Sequence, residues 1–294
     1  MASAKEIQNR IKSVQDTMKI TNAMFMIASS KLRKAKREVE VSGPYFQAMR
    51  QTIAAIQDYA PMVQNRYYDK RPEKSGRDRT YGYLVLTADK GLSGSYNHNV
   101  VKLVQKELDK HPGQNALYVA GRLGRHFYRK QGENVMHQFH YVVEDPSLTR
   151  VREVSHRVLA DYNEGKIDEL YMVYTRMNTP MSCETKVSKL LPLDEETFQD
   201  IPDGKFREVE LFPTPESVLD NVIPIYLHGV IYGALVASFC SEQNSRMLAM
   251  QSATNNGKEM LHDLGIQYNR IRQIAITQEI TDVIAGARAQ RQKQ

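Results

Sequence analysis

The chain has 294 residues, 41% of them hydrophobic and 25% charged, enough to bury one or two cores and enough to exclude a disordered polymer. A net charge of +6 and a pI near 9.1 favour an acidic partner, without choosing among protein, lipid and nucleic acid. The only cysteines, Cys183 and Cys240, are too few for a disulfide framework, so a reduced, intracellular protein is expected.

The first element is a long helix from about Ala4 to Ala60. Ile7, Ile11, Val14, Met18, Thr21, Phe25, Ala28, Leu32, Ala35 and Val39 recur at alternating spacings of four and three, which is a coiled-coil seam. The seam continues through Phe46, Met49, Ile53 and Ile56. Gly43-Pro44 interrupts it and predicts a bend or short break, because proline removes a helical hydrogen bond. Ahead of the seam stands neither a signal-peptide core nor an Arg-rich transit peptide. Gln64 to Thr80 is polar, contains Pro72 and Gly76, and reads as a loop.

From Tyr81 the pattern changes. Tyr83 to Thr87 is a short apolar strand, followed by the turn Ala88 to Ser95 and a helix from about Tyr96 to Asp109. Ala116 to Ala120 is a second strand and Arg122 to Lys130 a second helix. Val135 to Val142 holds a third strand, Ser147 to Asn163 another helix, and Glu169 to Thr175 a fourth strand. Alternation of this kind predicts a parallel α/β sheet. Glu184 to Leu191 reads as a strand pairing back on the fourth through Asn178-Thr-Pro180. Leu193 to Pro224, rich in proline and acidic residues, reads as a link.

After Pro224 no proline occurs, and 70 residues of helix would span about 105 Å. Here Val236, Cys240, Gln243, Met247, Met250, Thr254, Gly257, Leu261, Leu264, Tyr268, Ile271 and Ala275 form a second seam. Several of its positions are small or polar. Met24, Met26, Met247, Met250 and Met260 add unbranched side chains that adapt to changing surfaces. Together these features describe a rod that re-packs rather than one of maximal stability. The two terminal helices can pair, with the middle of the chain inserted between them. No apolar run approaches the ~20 residues of a membrane-spanning helix, so any membrane role is expected to be peripheral.

Three constellations invite a chemical reading. Gly91-Leu-Ser-Gly94 lies at a strand-to-helix turn, the place of phosphate-binding loops, but lacks both the G-x-G-x-x-G and the P-loop pattern. A turn needed for geometry alone explains it. His137 and His140, with Glu133 nearby, would diverge on a strand, and no cysteine pair supports zinc. No Ser/His/Asp or Cys/His arrangement and no G-x-S-x-G is present, so no enzyme constellation and no cofactor are expected. The basic cluster Lys31, Arg33, Lys34, Lys36 and Arg37 lies within the seam rather than ahead of it. It reads as a solvated face or a contact for an acidic partner, and nucleic acid is not expected.

Three stretches resemble the gamma subunit of F-type ATP synthase. They are Ile11-Lys-Ser-Val-Gln-Asp-Thr-Met-Lys-Ile-Thr-Asn-Ala-Met24, continuing to Arg33; Ser241-Glu-Gln-Asn-Ser-Arg-Met-Leu-Ala-Met250, continuing through Asn256 to Glu279; and the turn motif Leu86 to Asn97. The resemblance spans nearly the whole chain. It implies a mixed α+β fold: a long antiparallel coiled coil of N- and C-terminal helices with an inserted Rossmann-like α/β domain. The parts would be an N-terminal helix (1–60), a central domain (77–205) and a C-terminal helix (208–294).

The function implied is that of a non-catalytic central-stalk rotor, coupling proton flow to ATP synthesis or hydrolysis. The alternative is a nucleotide-binding α/β domain carried on a coiled coil. The implied partners are the alpha and beta subunits of a catalytic ring, the epsilon subunit and a ring of c subunits, at the cytoplasmic face of a bacterial cell membrane. Lys19, Met24, Arg246 and Gln278 match the family's contact motifs for the catalytic ring. Lys31 and Arg33 join them on charge and helical placement. Glu208, Glu210 and Phe212 match its foot. The chain departs from the family at Ser93 and Ser95, where cysteine and glycine are usual, and at Phe25, which is bulkier than usual. The cysteine insertion of the chloroplast form is absent, so thiol switching is not expected.

Overall fold

The computed structural model describes residues 4–60, 63, 65–74, 76–111, 114–140, 143–198 and 211–291. The chain forms two compact units, Ala28–Arg246 and a pairing of Met1–Ile27 with Met247–Gln294. Helix α1 (Ala4–Tyr59) and helix α5 (Pro215–Arg291) each contribute to both.

The larger unit holds five strands: β1 (Thr80–Leu86), β2 (Gln114–Ala120), β3 (Val135–Phe139), β4 (Glu169–Thr179) and β5 (Ser182–Leu191). Their spatial order is β3-β2-β1-β4-β5, with β5 antiparallel to β4 and the other pairs parallel. β1 is central and Tyr81 to Leu86 are all buried, as a strand covered on both faces requires. Between the parallel strands run α2 (Tyr96–Lys110), α3 (Arg122–Gln131) and α4 (Leu148–Asn163). α2 buries Tyr96, Val100, Val104 and Leu108, one residue per turn, against the sheet. Ser147 caps α4 by accepting from the Arg150 N–H at 3.4 Å.

Gly121 joins β2 to α3 at φ +98°, where a Cβ would stand 2.1 Å from the Thr87 carbonyl oxygen, so only glycine fits. Thr87 fills that turn: its hydroxyl donates to the Ala120 carbonyl and accepts from the Gly124 N–H.

One core lies between the sheet and α2 with α3. The other joins the opposite sheet face to α4, the second half of α1 and the first part of α5. β4 is sewn to α5 by polar contacts. Ser238 Oγ accepts from the Thr175 N–H at 3.1 Å, and Ser241 Oγ donates to the Thr175 carbonyl at 3.1 Å. α1 and α5 run antiparallel within this unit. Phe46 lies so close to Gly229 that a Cβ there would meet its ring at 2.1 Å.

In the smaller unit the helices are again antiparallel. Thr21 Oγ1 and Thr254 Oγ1 are 2.9 Å apart across the seam, and Met18 packs against Gly257. Ile7, Met250 and Leu264 are buried along it.

Four expectations are corrected. The short break expected at Gly43-Pro44 is absent: α1 continues through Pro44, which is exposed, so its ring meets solvent rather than the core. Val39 is 38% exposed; the seam instead passes Glu38 and Ser42 before reaching Phe46. α5 begins at Pro215 and carries Pro224 inside it, so part of the expected link is helix. α5 also contains an 18-residue stretch of mean hydropathy 1.7, long and apolar enough to cross a membrane by composition, with 56% of it buried in the protein. That burial is what a core helix shows.

Candidate partner-contact site

The basic residues of α1 do not form one patch. Lys19 pairs with Asp16 at 2.9 Å on a solvent-facing turn. Arg33 is exposed and reaches Ser29 Oγ at 3.1 Å. Met24 is half-buried, beside the exposed apolar Met26 and Ile27. Lys31 is half-buried and turns toward a cluster of charges that the sequence did not reveal.

That cluster centres on Arg246, which is only 7% exposed. Its guanidinium donates to Glu242 Oε1 at 2.6 Å, one helical turn back. It also donates to the carbonyls of Lys90 (3.1 Å) and Gly91 (3.1 and 3.3 Å), at the start of the Gly91–Gly94 turn. Lys90 in turn holds Glu144 at 2.5 Å. Burial pushes the Glu242 carboxyl above its usual range, although the Arg246 charge and hydrogen bond pull the other way. The Lys90 hydrogen bond holds Glu144 below its usual range. A charged arginine thus binds the β1–α2 turn to α5. Its local signal in the sequence is the Glu242-x-x-x-Arg246 spacing of one helical turn.

The same geometry argues against phosphate binding at the turn. The Lys90 and Gly91 carbonyls at its start face the Arg246 guanidinium and leave that end of the turn already occupied by a cation. The space among Lys31, Asp89, Glu242 and Arg246 is about 30 Å³, room for about one water and not for a nucleotide. His137 packs on Phe139 at 4.7 Å between ring centres, while His140 lies beside Arg125. Among the described residues no three His, Cys, Asp or Glu side chains gather in a way that would hold a metal.

Gln278 lies on α5 beyond the paired part of the seam, exposed and bonded to Asp282 at 3.2 Å. Seam burial ends at Ile271; Ala275 and every described side chain after it are exposed. The apolar residues there are therefore bare: Ile274 is 56% exposed, Ile280 54% and Val283 71%. Sequence reading missed this patch because its residues lie off the seam. Spacing alone does not show where a partner helix ends. Phe212 is 89% exposed, and Glu208 and Glu210 lie outside the described residues.

Residues 3–290 match a family model described as ATP synthase. The chain is 41% identical to an ATP synthase gamma chain of Acetivibrio thermocellus, covering 98% of this chain and 99% of that one. It is 40% identical to an ATP synthase gamma chain of Ruminiclostridium cellulolyticum, with 97% and 98% covered. Among solved structures it superposes on a chain of the Euglena gracilis mitochondrial ATP synthase OSCP/F1/c-ring assembly in rotational state 3. The TM-score is 0.69 at 19% identity, with 97% of this chain and 94% of that one covered, a likeness of fold.

Proposed function

The chain belongs to the gamma-chain family of ATP synthase and is a central-stalk rotor subunit, and we propose that it carries no catalytic site but couples rotation to events in a surrounding ring. The observation that carries this reading is the unpaired end of α5. The seam closes at Ile271, yet the helix runs on to Arg291 with its isoleucines bare. Exposed apolar residues in such a row call for a partner outside the chain. An asymmetric pair of helices offers a different face at each angle. A face that favours one conformation of a catalytic subunit shifts that subunit's equilibrium as it passes.

The partners proposed are the alpha and beta subunits of the ring, an epsilon subunit and the c-subunit ring. The complex would sit at the cytoplasmic face of the cell membrane, with this chain beside the bilayer and α5 serving as a core helix. Lys19, Met24, Lys31, Arg33 and Gln278 are proposed contacts for the ring. Arg246 is proposed to act from inside, by fixing the turn that Lys90 and Gly91 begin. Glu208, Glu210 and Phe212 remain the proposed foot. The proposed functional division follows the sequence: helix 1–60, sheet domain 77–205 and helix 208–294.

The test is to assemble the complex with Lys31→Ala and Arg33→Ala together. One copy of the chain per complex and weakened coupling between hydrolysis and proton pumping are expected. Unchanged coupling removes these residues from the contact, and failure to co-purify with the ATPase removes the reading itself.

A further inference from the structure

α2 and α3 lie side by side on the same sheet face and leave an open groove of about 640 Å³ between them. Its floor is apolar, built from the half-buried Val101 and Phe127. Its rim on α2 carries His98, Lys102, Lys106 and Lys110, each one turn beyond the last. From the first to the last is about 18 Å of helix.

The rim is unbalanced. Lys110 is held by Glu107 at 2.6 Å, and the lining holds one carboxylate, Asp109, which accepts from Gln105 at 3.3 Å; Lys102 and Lys106 have no carboxylate partner among the described residues. Like charges one turn apart destabilise a helix. A ladder of this kind beside an apolar trough is a cost to the isolated chain that an anionic occupant would remove.

We propose that this groove docks an acidic amphipathic helix of another protein chain. Its apolar side chains would seat on Val101 and Phe127, and carboxylates spaced one turn apart would meet Lys102 and Lys106. The walls are two helical ridges about three turns long, which a third helix complements by ridge-into-groove packing. Opposite charge then fixes the register and direction of approach. The groove shares no residue with the Arg246 cluster or with the proposed ring contacts.

The experiment places a photo-crosslinking amino acid at Gln105, on the groove wall, in the assembled complex, and identifies the adduct by mass spectrometry. Co-purification of the complex, scored separately, shows whether the gamma-chain reading holds. The expected adduct is a helical segment bearing carboxylates at four-residue spacing. Lys102→Glu with Lys106→Glu is expected to cut its yield about tenfold, and reversing the partner's carboxylates to lysine to restore it. Three results overturn the proposal: no adduct in an assembled complex, an adduct to lipid or to a segment without carboxylates, and a yield indifferent to charge reversal.

Discussion

Arg246 shows how a single side chain can carry more than its position in a motif implies. A buried guanidinium among two carbonyls and one carboxylate is satisfied only while all of them are in place. Arg246→Ala would strand Glu242 in the core and is expected to cost about 3 kcal/mol in urea unfolding. Asp168 plays a similar part at the foot of β1, where its carboxylate meets Arg71 at 2.8 Å, Lys74 at 2.7 Å and the Thr80 N–H at 2.9 Å. Burial alone would raise its pKa. The hydrogen bonds from Lys74, Thr80 and Arg71 outweigh burial and hold it below the usual 3.8. The ionised form therefore favours the folded state, and that stabilisation is lost as pH falls through and below 3.8. Asp168→Asn is expected to be about 3 kcal/mol less stable than the parent at pH 7. The difference should shrink as the urea transition is repeated toward pH 2, and a constant difference would assign the loss to packing instead.

At the scale of elements, proline is the residue whose effect sequence reading misplaces. Pro44 reads as a bend or short break and Pro224 as the end of a link, yet both lie inside helices. In each case burial on both sides outweighs the lost backbone bond: Leu32 and Ala35 precede Pro44 with Ile53 and Ile56 after it, and Ile223 and Leu227 flank Pro224, all buried. Pro44 is itself exposed, so Pro44→Ala restores a hydrogen bond without disturbing the core. An increase in stability of about 1–3 kcal/mol is expected in thermal or urea unfolding. The parallel sheet and the return of β5 onto β4, by contrast, were legible, because short apolar runs alternating with helices predict parallel strands. The N-terminal seam was legible as far as Ala35, since small or apolar residues alone satisfy its spacing. It was misread at Val39 because polar Glu38 and Ser42 take the seam there. The site was the least legible part: the Arg246 cluster brings together residues from four separate segments, and no local spacing encodes that.

The whole molecule depends on an antiparallel helix pair that is firmly held in one part and bare in another. Residues 230 to 246 of α5 are almost all buried, whereas those beyond Ile271 are exposed. Amide exchange in the isolated chain is therefore expected to be slow in the first stretch and fast in the second, since an unsupported helix is marginal in water. Assembly with the ring should slow the second. Equal rates in the free and assembled states would mean that this end touches nothing. The most direct measurement immobilises the catalytic ring of the assembled complex and follows a probe fixed to this chain at the exposed Met181. The account expects unidirectional rotation of the probe whenever ATP is hydrolysed, stopping when hydrolysis stops. Full hydrolysis with a motionless probe, in a complex that contains the chain, would contradict it.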